Sequence, residues 1–465
     1  MEEQRTPPAL PKPASVFKPA SAPVSGRAAP TAGGIRTNQS PPFTLPMRYM
    51  ILGILCFGLF AVDLAVQSGA LAQDPTQPAV VALTHLLTLG ALLAFVMGAV
   101  YQLATVAFLI PVAVVRLARW NFWLYLLSLA GLWWSMQTWF GPGLLVFGSA
   151  MALAVYVYCG IILVSIAKTA VRGPIVWFVA SAHSYLALAV TAGIFLVLTD
   201  AGVTNGLNDV MNPLLATHIT LAAGGFFTFL LMGFSIKLLP MFTLSHGYPT
   251  WREKWTFFLL HAAVWMIIAG AWSGAAPLLW FGALVGALGF ANHLAYAAAI
   301  IKHRMRKTVE PPIRFVITAA ATGFAGLLAL LVEAATWRDM AALESIILFY
   351  IWGCVTLTVM AYTYKIIPFL VWSERYGHRA GSNKVKVPMM ADLLPLRYSR
   401  PVFWGYSAGV IITSFCLAGQ FAWGVMAGCL LVSLSILSFS AEIWYVIDPR
   451  KVAGELRTQA GDRTS

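Results

Sequence analysis

Apolar residues fill twelve long runs along this chain, and polar residues collect in the short segments between them. Each run is close to the length of about 20 residues that a membrane-spanning helix requires. Breaks such as QDPTQP and RYGHRAGSNKVKVP are rich in turn-forming and charged residues. The runs cover approximately residues 48–68, 79–112, 120–138, 144–167, 174–198, 213–241, 254–272, 276–301, 312–333, 344–371, 401–419 and 421–446. This pattern predicts an all-α polytopic membrane protein with twelve transmembrane helices.

Residues at the two ends of the chain lack this pattern. Residues 1–46 are rich in Pro, Ala and Ser, and such a composition buries too little apolar surface to fold. The segment has no apolar core of the kind that a signal peptide carries. We therefore expect a disordered cytoplasmic tail at 1–46, a membrane domain at 47–447 and a cytoplasmic tail at 448–465.

Composition and charge agree with a membrane location. The chain is 59% hydrophobic and 10% charged, whereas soluble proteins carry about 25% charged residues. The net charge of +13 does not indicate nucleic-acid binding, because the basic residues form short clusters after runs 2, 4, 6, 8, 10 and 12. Such clusters mark cytoplasmic loops, so both termini are predicted to be cytoplasmic. The five cysteines lie inside apolar runs without metal-site spacing and predict neither disulfides nor a thiolate site.

An internal repeat relates runs 2, 6 and 10. In each run a glycine is followed seven residues later by a methionine, and a polar residue comes five residues after the methionine. Because these runs are four apart, the repeating unit is four helices. We therefore predict a pseudo-threefold arrangement of three four-helix arcs. The residues concerned are Gly90, Met97 and Gln102, then Gly225, Met232 and Lys237, and finally Gly353, Met360 and Lys365.

Two of the eight histidines lie near the starts of repeat-related runs. His85 and His218 each follow a threonine and lie about 8–9 Å into a helix that runs inward from the outer face. Neutral imidazole is a common haem ligand, and two histidines at one depth on two helices can bind the two faces of one haem. A buried histidine that only hydrogen-bonds to a neighbouring helix is the alternative for each.

Three further histidines lie at mid-depth or in the inner half of their runs, namely His183, His261 and His293. Structural hydrogen bonding is the simplest interpretation for each of them. The alternative is a second metal site, with haem or copper, if the helices that carry them are neighbours. Lys237 and Lys365 lie near the inner ends of their runs, where they either snorkel to the surface or line a polar path.

The layout resembles subunit I of the haem–copper oxidase superfamily, and more weakly the NnrS-type haem–copper membrane proteins. In that subunit a helix begins with His-x-His and ends with Gly-x-x-Tyr-x-x-Pro. Run 6 matches at His218, Gly233 and Pro240, with Ile236 in place of the tyrosine. Run 2, with His85 and a later GAVYQL, resembles the second helix of the family.

The departures from that family concern its copper site and its tenth helix. Run 10 has no histidine, and Ile346 occupies the position that matches His218. Run 7 has only His261 where the family carries a pair of histidines. The resemblance therefore implies a divergent member with one low-spin haem, b-type, between His85 and His218. Copper lacks its usual ligands.

These observations favour electron transfer, nitric oxide or gas handling, or haem and metal homeostasis over oxygen reduction. Whether the protein is an enzyme stays open. The expected surroundings are the lipid bilayer of a bacterial cytoplasmic membrane, and the expected partners are a cytochrome, a quinol or another respiratory-chain subunit. A secondary transporter with internal repeats is one alternative. A non-catalytic assembly or sensor protein is another.

Overall fold

The computed structural model describes residues 41–336, 340–377, 387–394 and 396–448. These residues form twelve long helices and no β-strand, so the prediction of an all-α polytopic protein is confirmed for them. The predicted tails lie outside the described residues, apart from their innermost positions. The helices are α1 (Thr44–Gln73), α2 (Pro78–Ala107), α3 (Val115–Thr138), α4 (Gly141–Ala167), α5 (Pro174–Asp200), α6 (Asn208–Thr243), α7 (Trp251–Ser273), α8 (Ala276–Lys302), α9 (Pro311–Thr336), α10 (Met340–Arg375), α11 (Ser399–Ala418) and α12 (Ala422–Ile447).

Each predicted run coincides with one of these helices. Among the described residues, eleven of the helices are long and apolar enough to cross a membrane. The remaining one, α3, is less apolar and carries Arg116 and Arg119 near its start. Helix α2 ends at Ala107, short of the predicted residue 112. The chain turns there because Leu109 and Val114 adopt positive φ angles on either side of a proline.

The same packing pattern occurs in three groups of four helices, α1–α4, α5–α8 and α9–α12. In each group the second helix packs against the first and the third, and the third packs against the fourth. The fourth helix then packs against the first helix of the next group, and α12 closes on α1. Helix α10 also contacts α2 and α6, so the second helices lie at the centre.

The repeat glycines let the second helix of each group approach the first. A side-chain carbon added at Gly90, Gly225 or Gly353 would lie 3.1 Å, 2.8 Å or 3.4 Å from its nearest neighbour on that first helix. Small residues allow this close helix contact in membrane proteins. The neighbours are Cys56 of α1, Tyr185 of α5 and Thr322 of α9.

A π-helical segment surrounds each repeat glycine, at Leu86–Leu93 in α2, Thr220–Phe227 in α6 and Tyr350–Thr356 in α10. Widened turns of this kind free backbone carbonyls for other partners, and they are frequent at functional sites. Two of these carbonyls accept a hydrogen bond from a tyrosine on the third helix of the same group. The hydroxyl of Tyr125 donates to Leu89 O at 2.5 Å, and that of Tyr406 donates to Trp352 O at 3.0 Å.

Each acceptor directly precedes its repeat glycine. In the second group the corresponding residue is Gly224, and it lies beside Val264 of α7. Among the described residues, no tyrosine hydroxyl donates to its carbonyl.

The central helices are closed toward their C-terminal ends and more open toward their N-terminal ends. Residues 352–368 of α10 are all buried, whereas residues 346–351 are all partly exposed. Lys365 does not snorkel, since it is 5% exposed and forms an ion pair with Glu310. Its repeat equivalent, Lys237, is exposed. The polar residues of the repeat therefore differ in their surroundings.

Candidate functional site: a histidine pair between two central helices

His85 of α2 and His218 of α6 face each other in the N-terminal parts of their helices. Their ring centroids lie 6.2 Å apart, and the two ring planes differ by 24°. His85 lies immediately before the π-helical segment of α2. One residue separates His218 from the π-helical segment of α6. The structure therefore brings together the two histidines that the sequence analysis singles out. The third central helix, α10, places Ile346 in the matching part of its run and adds no histidine.

The two imidazoles are held by different backbone carbonyls. Nδ1 of His85 lies 2.8 Å from the carbonyl of Val81, one turn earlier in the same helix. Nδ1 of His218 lies 2.8 Å from the carbonyl of Ala189 on α5. Because a carbonyl only accepts hydrogen bonds, Nδ1 carries the proton in both neutral rings, and Nε2 carries the lone pair.

That lone pair is the group that binds a metal ion. Within the described part of the chain, neither Nε2 atom has a hydrogen-bond partner. A carbonyl that accepts from the other ring nitrogen is the usual support of a metal-binding histidine, because it sets the tautomer and the ring orientation. The pair therefore offers two neutral imidazole nitrogens that are free to bind a metal ion.

Gly193 makes room for the imidazole of His218. It lies one turn after Ala189 on α5, and a side-chain carbon there would be 3.1 Å from Cε1 and 3.3 Å from Nδ1 of the ring. Neither Ala189 nor Gly193 stands out in the sequence, because small residues are frequent throughout the apolar runs. Only the crossing of α5 with α6 reveals their role.

The separation of the rings fits one metal ion between them. A metal–imidazole bond is about 2 Å long, and the ring centroid lies about 1.1 Å beyond its nitrogen, so two collinear ligands give about 6.2 Å between centroids. The observed value is 6.2 Å. Both histidines and residues 215–220 around His218 are partly exposed, so the pair is not enclosed by protein. Donor type, ring separation and open surroundings together fit an iron porphyrin.

Two glycines of the internal repeat, which follow the histidines along α2 and α6, pack against other helices. Gly90 and Gly225 face α1 and α5, where they permit close helix packing.

The inner histidines have separate surroundings. His183 is fully buried, and Nδ1 lies 2.7 Å from the carbonyl of Val179. Its Nε2 therefore accepts a hydrogen bond of 3.1 Å from the hydroxyl of Tyr158. Both ring nitrogens of His183 are thus engaged, and His261 is bonded through Nδ1 to the hydroxyl of Tyr185 at 2.8 Å. These contacts are those of structural histidines.

His293 differs from both, because it lines a small cavity between α6, α8, α9 and α10. Among the residues that the structure describes, no group of three or more His, Cys, Asp or Glu side chains is placed to hold a metal ion. His183, His261 and His293 therefore provide no shared ligand set for the alternative second site, and copper stays a prediction.

The sequence analysis did not single out two other polar contacts. Glu310 precedes α9, and its carboxylate pairs with Lys365 and, at 2.6 Å, with Arg306. Glu442 accepts a hydrogen bond of 2.8 Å from Tyr364. A glutamate three residues after the basic cluster KHRMRK is the only signal that the sequence offers for the first contact.

No protein-family model matches the chain, and no curated protein matches it. The functional argument therefore depends on the site itself.

Proposed function

We propose that this chain is a haem-binding integral membrane protein in which His85 and His218 are the two axial ligands of one b-type haem. The observation that carries the proposal is the facing pair of imidazoles, with ring centroids 6.2 Å apart and Nδ1 atoms bonded to backbone carbonyls. Two neutral imidazoles with free Nε2 atoms are the ligand set of a low-spin haem.

Ligation by two histidines favours electron transfer over oxygen reduction. A haem held by His85 and His218 would supply one-electron chemistry. The carbonyls of Val81 and Ala189 keep each Nε2 unprotonated, as a metal ligand requires. Gas handling, including nitric oxide, would require one histidine to leave the iron.

The architecture supports a relationship to subunit I of the haem–copper oxidases. We propose a pseudo-threefold arrangement of three four-helix arcs with both termini in the cytoplasm. Support comes from the packing pattern common to the three groups, and from the tyrosine-to-carbonyl bonds of Tyr125 and Tyr406. A bacterial cytoplasmic membrane is the proposed location, with a cytochrome, a quinol or another respiratory subunit as the redox partner.

An optical spectrum of the purified protein tests the proposal. Protein expressed with ample haem should show the Soret and α bands of a low-spin b-type haem, with one iron per chain. His85→Ala and His218→Ala should each abolish the low-spin bands, because each leaves one axial position without a ligand. His246→Ala, in the loop after α6, is the matched control and should keep the spectrum. A haem-free wild-type protein, or a native spectrum in His218→Ala, would refute the assignment.

A further inference from the structure

A small cavity lies among α6, α8, α9 and α10, and its lining includes neither histidine of the proposed haem site. Its volume is about 20 Å³. A cavity of about 10–15 Å³ on this measure holds one water molecule. Its polar and sulfur-containing lining consists of Thr228, Met232, Ser235, His293, Cys354 and Thr358.

The hydroxyl protons in the cavity wall are already committed. Thr228 donates to Ala223 O at 2.7 Å and is bonded to the hydroxyl of Tyr350 at 2.5 Å. Ser235 donates to Leu231 O at 2.7 Å and is bonded to the hydroxyl of Tyr362 at 2.6 Å. The tyrosines are therefore the donors in these two pairs, and each side-chain oxygen of Thr228 and Ser235 has one lone pair left to accept a further bond.

His293 is the polar side chain in this wall that has no partner. It is 5% exposed, and neither of its ring nitrogens has a hydrogen-bond partner among the described residues. A neutral imidazole always presents one N–H donor and one acceptor nitrogen. Leaving both unpaired in a membrane interior is costly, so a ligand in the cavity would remove a penalty that the fold otherwise carries.

We propose that this cavity binds one or two water molecules that hydrogen-bond to His293 and to the hydroxyl oxygens in its wall. A buried water requires two to four polar partners, and the wall supplies a donor and an acceptor on His293 as well as hydroxyl acceptors. The water joins His293 to the polar contacts between α6 and α10. His293 is then the protonatable group of a water-linked network in the middle of the bundle, with or without haem at the other site.

Hydroxyl-radical labelling of the full-length protein by X-ray radiolysis of water tests this site, read out by mass spectrometry. Bound water is activated in place and oxidises the side chains beside it, and methionine and cysteine are sensitive targets. Met232 and Cys354 line the cavity, whereas Met360 and Cys429 are also buried and do not. We expect Met232 and Cys354 to be oxidised several-fold faster than these two controls, with oxygen from isotopically labelled water.

Two variants connect the label to His293. His293→Phe removes the hydrogen-bonding partner and should lower the labelling of Met232 to the rate of Met360. His293→Gln retains a donor and an acceptor and should keep the labelling high. Equal rates for Met232 and Met360 in the wild-type protein would overturn the proposal, and this comparison does not depend on the folding of any variant. Undiminished labelling in a folded His293→Phe protein would overturn the role of His293.

Discussion

The imidazoles of His85 and His218 lie with ring centroids 6.2 Å apart, yet their supports are independent of each other. His85 is oriented by Val81 of its own helix, so its position follows from α2 alone. His218 is oriented by Ala189 of α5, so its position depends on how α5 packs against α6. The pair is therefore more sensitive to changes on α5 than its location on α2 and α6 would indicate.

Gly193→Val should displace the imidazole of His218. The new Cβ would lie 3.1 Å from Cε1 before its methyl groups are added, so the ring must turn and lose its bond to Ala189. We expect the low-spin haem to be lost, with a destabilisation of about 1–3 kcal/mol from overpacking. The ratio of haem to protein and the thermal melting of the purified variant measure the two effects.

Gly160→Val on α4 is the control for that substitution. It makes the same change in a helix, and nothing lies within 4 Å of the added carbon. Full haem content in the Gly193 variant would show that His218 can move without consequence, and therefore that it is not an axial ligand.

The ion pair between Lys365 and Glu310 should contribute asymmetrically to stability. Glu310→Gln leaves a buried ammonium group without its carboxylate, which costs about 3–5 kcal/mol. Lys365→Met should cost less, because Glu310 keeps its contact with Arg306 at 2.6 Å. The double variant should recover much of the loss. Thermal unfolding in detergent would show these differences.

Lys237→Met is the matched control at the equivalent position of the repeat. Lys237 is exposed, and surface substitutions usually change stability by about 0.5 kcal/mol or less. If Glu310→Gln were as stable as this control, the ion pair would contribute nothing to the free energy of unfolding. It would then affect only the distribution of charge around Lys365.

Lys237 and Lys365 also show which structural features the sequence alone does not predict. The repeat correctly places Lys237 and Lys365 at equivalent positions, and hydropathy correctly predicts the helices that carry them. Whether a lysine is buried depends on what lies on the facing helix, and Glu310 precedes a different helix, α9. No local pattern near Lys365 identifies that partner.

For the histidine pair too, the sequence predicts one part of the site and not the other. Depth along the predicted helices suggests that His85 and His218 face a common space, because both lie near the starts of repeat-related runs. The groups that orient His218 cannot be read from the chain, since Ala189 and Gly193 are ordinary small residues in an apolar run. Gly90 and Gly225 stand out in the sequence, but their task is helix packing rather than contact with a macrocycle.

The tyrosine bonds to the π-helical segments should contribute measurably to stability. Tyr125→Phe and Tyr406→Phe each leave a backbone carbonyl, the part-buried Leu89 O or the buried Trp352 O, without its side-chain donor. We expect each to cost about 1–3 kcal/mol, since an unsatisfied buried acceptor carries its desolvation penalty. Tyr101→Phe is the control, because its buried hydroxyl has no hydrogen-bond partner among the residues that the structure describes, and its removal should be close to neutral. Melting temperatures that do not separate the two classes would count against a structural role for these bonds.

Cysteine labelling should establish which side of the membrane the histidine pair is near. If the basic clusters are cytoplasmic, the connection between α5 and α6 is outside, and so are the N-terminal ends of α2 and α6. Asn205→Cys should then react with a membrane-impermeant maleimide in intact spheroplasts, and Lys307→Cys should react only after lysis. Both positions are exposed, and four of the five native cysteines are buried, so the wild-type protein supplies a low background. Labelling of Lys307→Cys in intact spheroplasts would reverse the orientation, and the proposed haem would then exchange electrons with partners on the cytoplasmic side.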